Sequence, residues 1–452
     1  MQAGYLDTFE EGILRGWAYD EGFKSPNLDI FIDGKFIGSA VACQYRDDIK
    51  QLGYGDGYAG FYFAIPPFYF DGIKHQLEIF YHESGALLKN GAQNTSFNGT
   101  DSIIYQLLNE RIASDYYWFL QKVDIDDGFI NFHAWAISPF NQKEPSALSI
   151  NGLFVKNLHI EENVLLSKRY KFNKVYSIQG QFDLSDLHSE VKCYKFTCHF
   201  GHLLESNSKN DFYYPANNYP HPEVENKTRV QGKGAEESSL FDIQGLTIAK
   251  KLENRLKCTL SLNISPTTKI LDWGCGCGRI ARFFSELIDC DFYGVDIDCE
   301  NINWCKANIK GTFIDIKQEP PTQFFENYFD VIYGVSIFTH LNFNDHMKWL
   351  TELHRILRHG GYVLFTIHGD MAWYYNNAFG LNAFSRLHKA GMIDAGKCWH
   401  LDAIDIDHNR YRNIFLSREF IYKHWSNNFK IIDIIEGDIS SHHDLVIAQA
   451  VK

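Results

Sequence analysis

The sequence lacks an excess of basic charge: 43 Lys and Arg stand against 56 Asp and Glu, for a net charge of −13. Without clustered cations the chain is not expected to wrap nucleic acid or coat an anionic membrane. It also lacks an apolar run near the roughly 18 residues that span a bilayer. "GFYFAIPPFYF", among the longest such runs, is broken by two prolines. The opening residues, "MQAGYLDTFEEG", have no basic region followed by an apolar stretch, so no signal peptide is expected. Ten cysteines occur in a chain too long to be a small disulfide scaffold, and no leader directs them to an oxidising compartment. They read as free thiols of a cytoplasmic protein, which would leave the sequons at Asn94, Asn98 and Asn226 unmodified.

What is present suits a globular protein of about three domains. The hydrophobic fraction of 45% and charged fraction of 22% are enough to build a sizeable core. The first 205 residues read as β-structure. "LDIFIDGKFIGSAV" alternates apolar and polar residues about Asp33-Gly34, a hairpin signal. The pattern then recurs. "GWAYD" with "IDGKFIG" is echoed by "HAWAIS" with "INGLFVK", and 17 positions separate Trp17 from Gly34 and Trp135 from Gly152 alike. "GFYFAI" and "GALL" are matched in order by "GQFDLS" and "GHLL".

The expected organisation is a β-rich, sandwich-like module over 1–90, a helical connector over 91–117 and a second copy over 118–205. Trp17 and Trp135 read as equivalent core tryptophans, with a sugar-stacking platform as the rival reading. A linker rich in Asn, Pro and Ser is expected over 206–228.

From 229 to 452 strands and helices alternate, as in a parallel α/β sheet. "KILDWG", "DFYGVDID", "GTFIDI", "YFDVIYGVSIF" and "YVLFTIHG" read as strands. "RIARFFSELI", "ENINWCKANI" and "DHMKWLTELHRIL" read as helices, the last expected to end at Gly360-Gly361.

The loop "KILDWGCGCGRIARFF" admits three readings. As a metal loop it would use Cys275 and Cys277, but no second close cysteine pair follows at zinc-like spacing. As a dinucleotide fingerprint, "GCGRIA" fits G-x-G-x-x-A, and Asp296 follows Gly276 by 20 residues. The third reading uses Gly274, Gly276 and Gly278 together with Asp272 ahead of them.

This third pattern, "ILDWGCGCGR", resembles motif I of the class I S-adenosylmethionine (SAM)-dependent methyltransferases, and the resemblance runs over 229–452. It implies a Rossmann-like seven-stranded methyltransferase sheet, closed by "FKIIDIIEG" and "HDLVIAQAV". It implies SAM as cofactor, with Asp296 on the ribose hydroxyls, the neighbouring Ile297 and Ser336 beside the cofactor, and Asp315 at the adenine. The glycines let the backbone approach the cofactor closely. Asp272 would bond the loop or attract the cofactor's cationic end, and the cysteines would be small fillers.

Ligands of open α/β sheets bind at the carboxyl ends of the strands. His340 in "GVSIFTHLNF" and His368 in "TIHGDMAWYY" would lie there as candidate general bases, His340 first. His354 and His359 read as structural or exposed. The aromatic stretch holding Trp373, Tyr374, Tyr375, Phe379, Phe384, Trp399 and Tyr411 is expected to form a lid or acceptor pocket. Asp402, Asp405 and Asp407 read as surface acids, and no metal is assigned.

"SIFTHL" and the front modules resemble parts of bacterial surface-polysaccharide assembly proteins. The resemblance implies O-methylation of a sugar hydroxyl on a nucleotide- or lipid-linked glycan, with other glycan-assembly enzymes as partners of the modules. The rivals are methylation of a small secondary metabolite and a non-catalytic glycan-binding scaffold.

Overall fold

The computed structural model describes residues 2–10, 13–23, 26–42, 44–65, 69, 74–96, 117–139, 144–164, 173–187, 190–201, 205–206, 211–231, 238–369, 372, 387, 390–397, 411–440 and 443–452. Most of the expected connector lies outside them. So do Asp370, Trp373, Tyr374, Tyr375, Phe379, Phe384, Trp399, Asp402, Asp405 and Asp407.

The front half holds two pairs of facing antiparallel sheets. In the first pair one sheet runs Gln2–Glu10, Ile13–Asp20, Tyr58–Ala64, Gln44–Tyr45. The other runs Lys35–Val41, Asn27–Ile32, Lys74–Tyr81, Gln93–Ser96. Leu6, Leu14 and Ala18 from one sheet and Leu28, Ile30, Leu77 and Ile79 from the other share a core. The second pair has the same strand order. Tyr117–Asp126, Phe129–Pro139, Asn173–Asp183 and Asn157–Glu162 lie side by side. Facing them, Leu153–Phe154, Pro145–Ile150, Cys193–Phe200 and Glu205–Ser206 lie side by side in the other sheet, and Phe212–Pro215 also pairs with Cys193–Phe200.

Asp33 (φ 53°) with Gly34 (φ 70°), and Asn151 (φ 50°) with Gly152 (φ 84°), make matching two-residue turns. Positive φ at both positions suits the right-handed twist of the strands.

Three expectations change here. β-pairing runs past 205, because Phe212–Pro215 pairs with Cys193–Phe200, and a helix spans Val224–Gln231, so 206–228 is not a plain linker. The tryptophans are half-buried on outer faces. Leu14, Gly16 and Ala18 point inward, so Trp17 points out, where its ring lies 5.0 Å from that of Tyr54. Trp135 likewise alternates with buried Ala134 and Ala136, 5.5 Å from Phe119. The glycine landmarks are also out of step, since Gly60 faces Trp17 whereas Gly180 faces Phe132.

The back unit is built on one sheet. Its strands are β1 (Lys269–Trp273), β2 (Asp291–Asp296), β3 (Thr312–Asp315), β4 (Phe329–Gly334) and β5 (Leu357–Ile367), followed by β6 (Phe429–Ile439) and β7 (His443–Ala450). The order is β3-β2-β1-β4-β5-β7-β6. β1 to β5 are parallel, and β7 runs antiparallel to both β5 and β6. β1 and β7 are buried almost throughout because helices or loops cover both faces. The helix before β5 ends at Ile356, short of the expected glycine pair. Gly360 (φ 72°) sits instead in an irregular stretch of β5.

Both front units pack on this one. Helix Ser238–Asn254 places Ile243 in the second sandwich's core and Leu246, Ala249 and Leu252 in the core beside the sheet. Phe415, from the ribbon of Met392–Lys397 and Arg412–Leu416, joins the first sandwich's core.

Candidate functional site

The sheet changes direction between β1 and β4, which opens a crevice at their carboxyl ends. A cavity there is walled by Asp272, Gly274, Gly276, Asp296, Ile297, Ser336 and His340. Gly274 (φ 79°), Gly276 (φ 52°) and Gly278 (φ 73°) all occupy left-handed backbone. At Gly274 a Cβ would also lie 2.1 Å from Ile337 Cδ1, so only glycine fits.

The loop is strapped to the end of β2. Gly274 N and Cys275 N both donate to the Val295 carbonyl, at 2.8 and 3.0 Å. Gly276 N donates to Asp296 Oδ2 at 2.7 Å, and Asp298 N donates to Oδ1 at 2.9 Å. Asp296 is therefore a residue that fixes the loop, one of the two tasks the sequence left open to Asp272. Burial raises its pKa, with these backbone N–H groups opposing. Asp272 accepts a hydrogen bond from Tyr333 Oη at 3.0 Å. Its burial, only partly offset by that bond, pushes its carboxyl up to about 8.

Three expected residues are not on this wall. Gly278 packs behind the loop, where a Cβ would lie 2.3 Å from Ile309 Cδ1. Asp315 is exposed and pairs with Lys306 at 3.7 Å, because it ends an edge strand facing away, and Ile316 and Gln318 wall the cavity instead. His368, at the end of β5, lies one layer back, its ring centroid 6.3 Å from that of His340.

Arg279 was not assigned from sequence and does wall the cavity, as does Tyr411, the one member of the expected lid or acceptor-pocket stretch that lies among the described residues. Arg279 Nη1 donates to Gln244 on helix Ser238–Asn254 at 3.0 Å, and burial lowers its pKa. Its position next to the glycines was the available signal. Cys275 and Cys277 also line the wall as buried thiols, and desolvation pushes Cys277 up to about 12. Among the described residues no group of three or more His, Cys, Asp or Glu side chains could hold an ion.

At the acceptor end, Ser336 (φ 64°) donates its N–H to Thr366 Oγ1 at 2.7 Å, and its Oγ lies 3.5 Å from His340 Nε2. His340 Nδ1 is 3.0 Å from the Arg412 carbonyl, and Arg412 N donates back to the His340 carbonyl at 3.0 Å. A carbonyl only accepts, so Nδ1 carries the hydrogen and neutral His340 keeps its Nε2 lone pair toward Ser336.

Residues 271–365 match the methyltransferase domain family. The chain is 27% identical to phosphoethanolamine N-methyltransferase 3 of Arabidopsis thaliana over 127 residues, 27% of this chain and 26% of that protein. The chain thus spans about a quarter of that curated relative. Among solved structures it is similar to a SAM-dependent methyltransferase of Methanosarcina mazei, at 16% identity and a TM-score of 0.33, covering 43% of this chain and 97% of that one. It is also similar to the N-methyltransferase NodS of Bradyrhizobium japonicum in complex with S-adenosylhomocysteine, at 12% identity and a TM-score of 0.30, covering 47% and 91%.

SAM is the cofactor of this domain, and the cavity fits it. Carboxylates at Asp272 and Asp296 suit a cation and hydroxyl groups, Ile297, Ile316 and Val335 offer apolar wall, and the glycine loop leaves room for a close approach.

Proposed function

We propose that the chain is a SAM-dependent methyltransferase that methylates a hydroxyl group, with His340 as general base. The carrying observation is the Arg412 carbonyl on His340 Nδ1, which leaves Nε2 able to take a proton at the cavity wall. When bound, the cofactor supplies a methyl group activated on a sulfonium. Gly274, Gly276 and Asp296 would hold it and Asp272 would stand against its positive charge, the thioether S-adenosylhomocysteine being what is left once the methyl group has gone; His340 takes the acceptor hydroxyl's proton on Nε2.

The acceptor in this reading is a sugar hydroxyl on a nucleotide- or lipid-linked glycan of surface-polysaccharide assembly, as the sequence resemblance implies. The matching strand orders and turns support reading the front half as two copies of one β-module, available to glycan or to other assembly enzymes. A second reading, an amine acceptor, is favoured by the match to a phosphoethanolamine N-methyltransferase.

Incubation with radiolabelled SAM and nucleotide-linked sugars, lipid-linked glycans and phosphoethanolamine separates the two. Label in a sugar hydroxyl is expected; label confined to the amine would overturn the hydroxyl reading.

A further inference from the structure

A second histidine pair stands behind the first candidate base. His368 Nε2 lies 3.1 Å from His443 Nε2 in hydrogen-bonding geometry, although 75 residues separate them, and the ring planes are within 15°. The pair is held from both sides. Leu416 N donates to the His368 carbonyl at 2.9 Å, the Phe415 ring sits 5.2 Å from the His368 ring, and His443 opens β7 opposite Ile439. His368 is 7% exposed.

Two Nε2 atoms this close share one hydrogen, which one ring donates and the other accepts. The donor ring can take one further proton on its Nδ1 with the shared bond intact, and that bond then becomes charge-assisted and stronger. A second added proton would set two N–H groups against each other. The pair therefore favours a single positive charge.

We propose that His443 is a positioning residue which, by sharing a proton with His368, keeps His340 neutral and so available as a base. This rests on the role given to His340 above. A charge on the pair faces the His340 ring across 6.3 Å, nearly edge-on at 82°. Like charges oppose a second protonation, so His340 holds its lone pair to lower pH than it would alone.

The other ionisable groups facing these rings are few among the described residues. Asp444 lies against Gly369 and accepts from Gly437 N at 2.9 Å. Arg412, whose carbonyl holds His340, pairs its guanidinium with Asp394 at 2.8 Å. Asp272, Asp296 and Arg279 belong to the same cavity as His340.

The test follows imidazole nitrogens by long-range proton–nitrogen NMR on the full chain saturated with S-adenosylhomocysteine, from pH 5 to 9. His368 and His443 are expected to titrate together in two coupled steps. In His443→Phe and in His443→Gln, His340 is expected to titrate about one pH unit higher than in the parent chain. Glutamine can replace the hydrogen bond but not the charge, so a purely structural role would be rescued by it. A His340 titration unchanged in His443→Gln, or His368 and His443 titrating independently, overturns the proposal. Failure to bind S-adenosylhomocysteine at all would instead overturn the methyltransferase reading, and the coupled titration remains measurable without ligand.

Discussion

The ring of His340 and the backbone of Arg412 hold each other twice: His340 Nδ1 meets the Arg412 carbonyl at 3.0 Å, and Arg412 N meets the His340 carbonyl at 3.0 Å. The first contact chooses the tautomer and the second fixes the turn that carries it. Both come from the ribbon that follows β5, so the base is set by a segment distant in sequence.

His340→Asn removes the lone pair while conserving size. It is expected to lower the rate of methyl transfer by about 10²- to 10⁴-fold, the usual range for a general base. Cofactor affinity should change little, which calorimetry on the same variant checks.

Asp296→Ala leaves the buried Gly276 N–H without its acceptor. Stranding a buried donor costs about 1–3 kcal/mol, so cofactor affinity should fall roughly tenfold or more. The same titration against the parent chain reads it.

Binding of SAM should release a proton. Burial pushes Asp272 up to about 8, so at pH 7 in the empty cavity it is mainly protonated. A cation placed against it favours the carboxylate. Titrations in phosphate and in Tris should differ in apparent heat, and the difference should shrink in Asp272→Asn. In the cofactor-free chain the sign is the reverse of a salt-bridged acid. The folded pKa is raised, so the stability this group contributes is present below the usual carboxylate range and lost as pH rises through about 8.

Gly274→Ala and Gly34→Ala separate strain from collision. Both positions have positive φ, but only at Gly274 would a Cβ strike a neighbour, whereas nothing lies within 4 Å at Gly34. Gly34→Ala is expected to cost about 1–2 kcal/mol in chemical denaturation. Gly274→Ala should cost more and abolish cofactor binding.

Cys275 and Cys277 should resist thiol reagents at pH 8 in the folded chain, since burial raises both thiols. Chelators should leave cofactor binding unchanged.

The sheet was legible because its signals are local. Short apolar strands, glycine turns and the acid ending β2 each lie within a few residues of one another. The tryptophans were misread as core residues because their size and apolarity outweighed the strand alternation: in "ILRGWAYD" Leu14, Gly16 and Ala18 share one parity, and Trp17 has the other. Asp315 was misplaced because a strand end leaves side-chain direction open, and one residue decides between cavity and solvent. His443 could not be found from the sequence. Its partnership with His368 exists only because β7 inserts antiparallel beside β5, a tertiary event that no spacing records.

The central claim is tested most directly by calorimetric titration of the full chain with SAM, S-adenosylhomocysteine and NAD. One SAM and one S-adenosylhomocysteine site per chain, with no heat from NAD, is the predicted result. Binding of NAD with no response to SAM would contradict it.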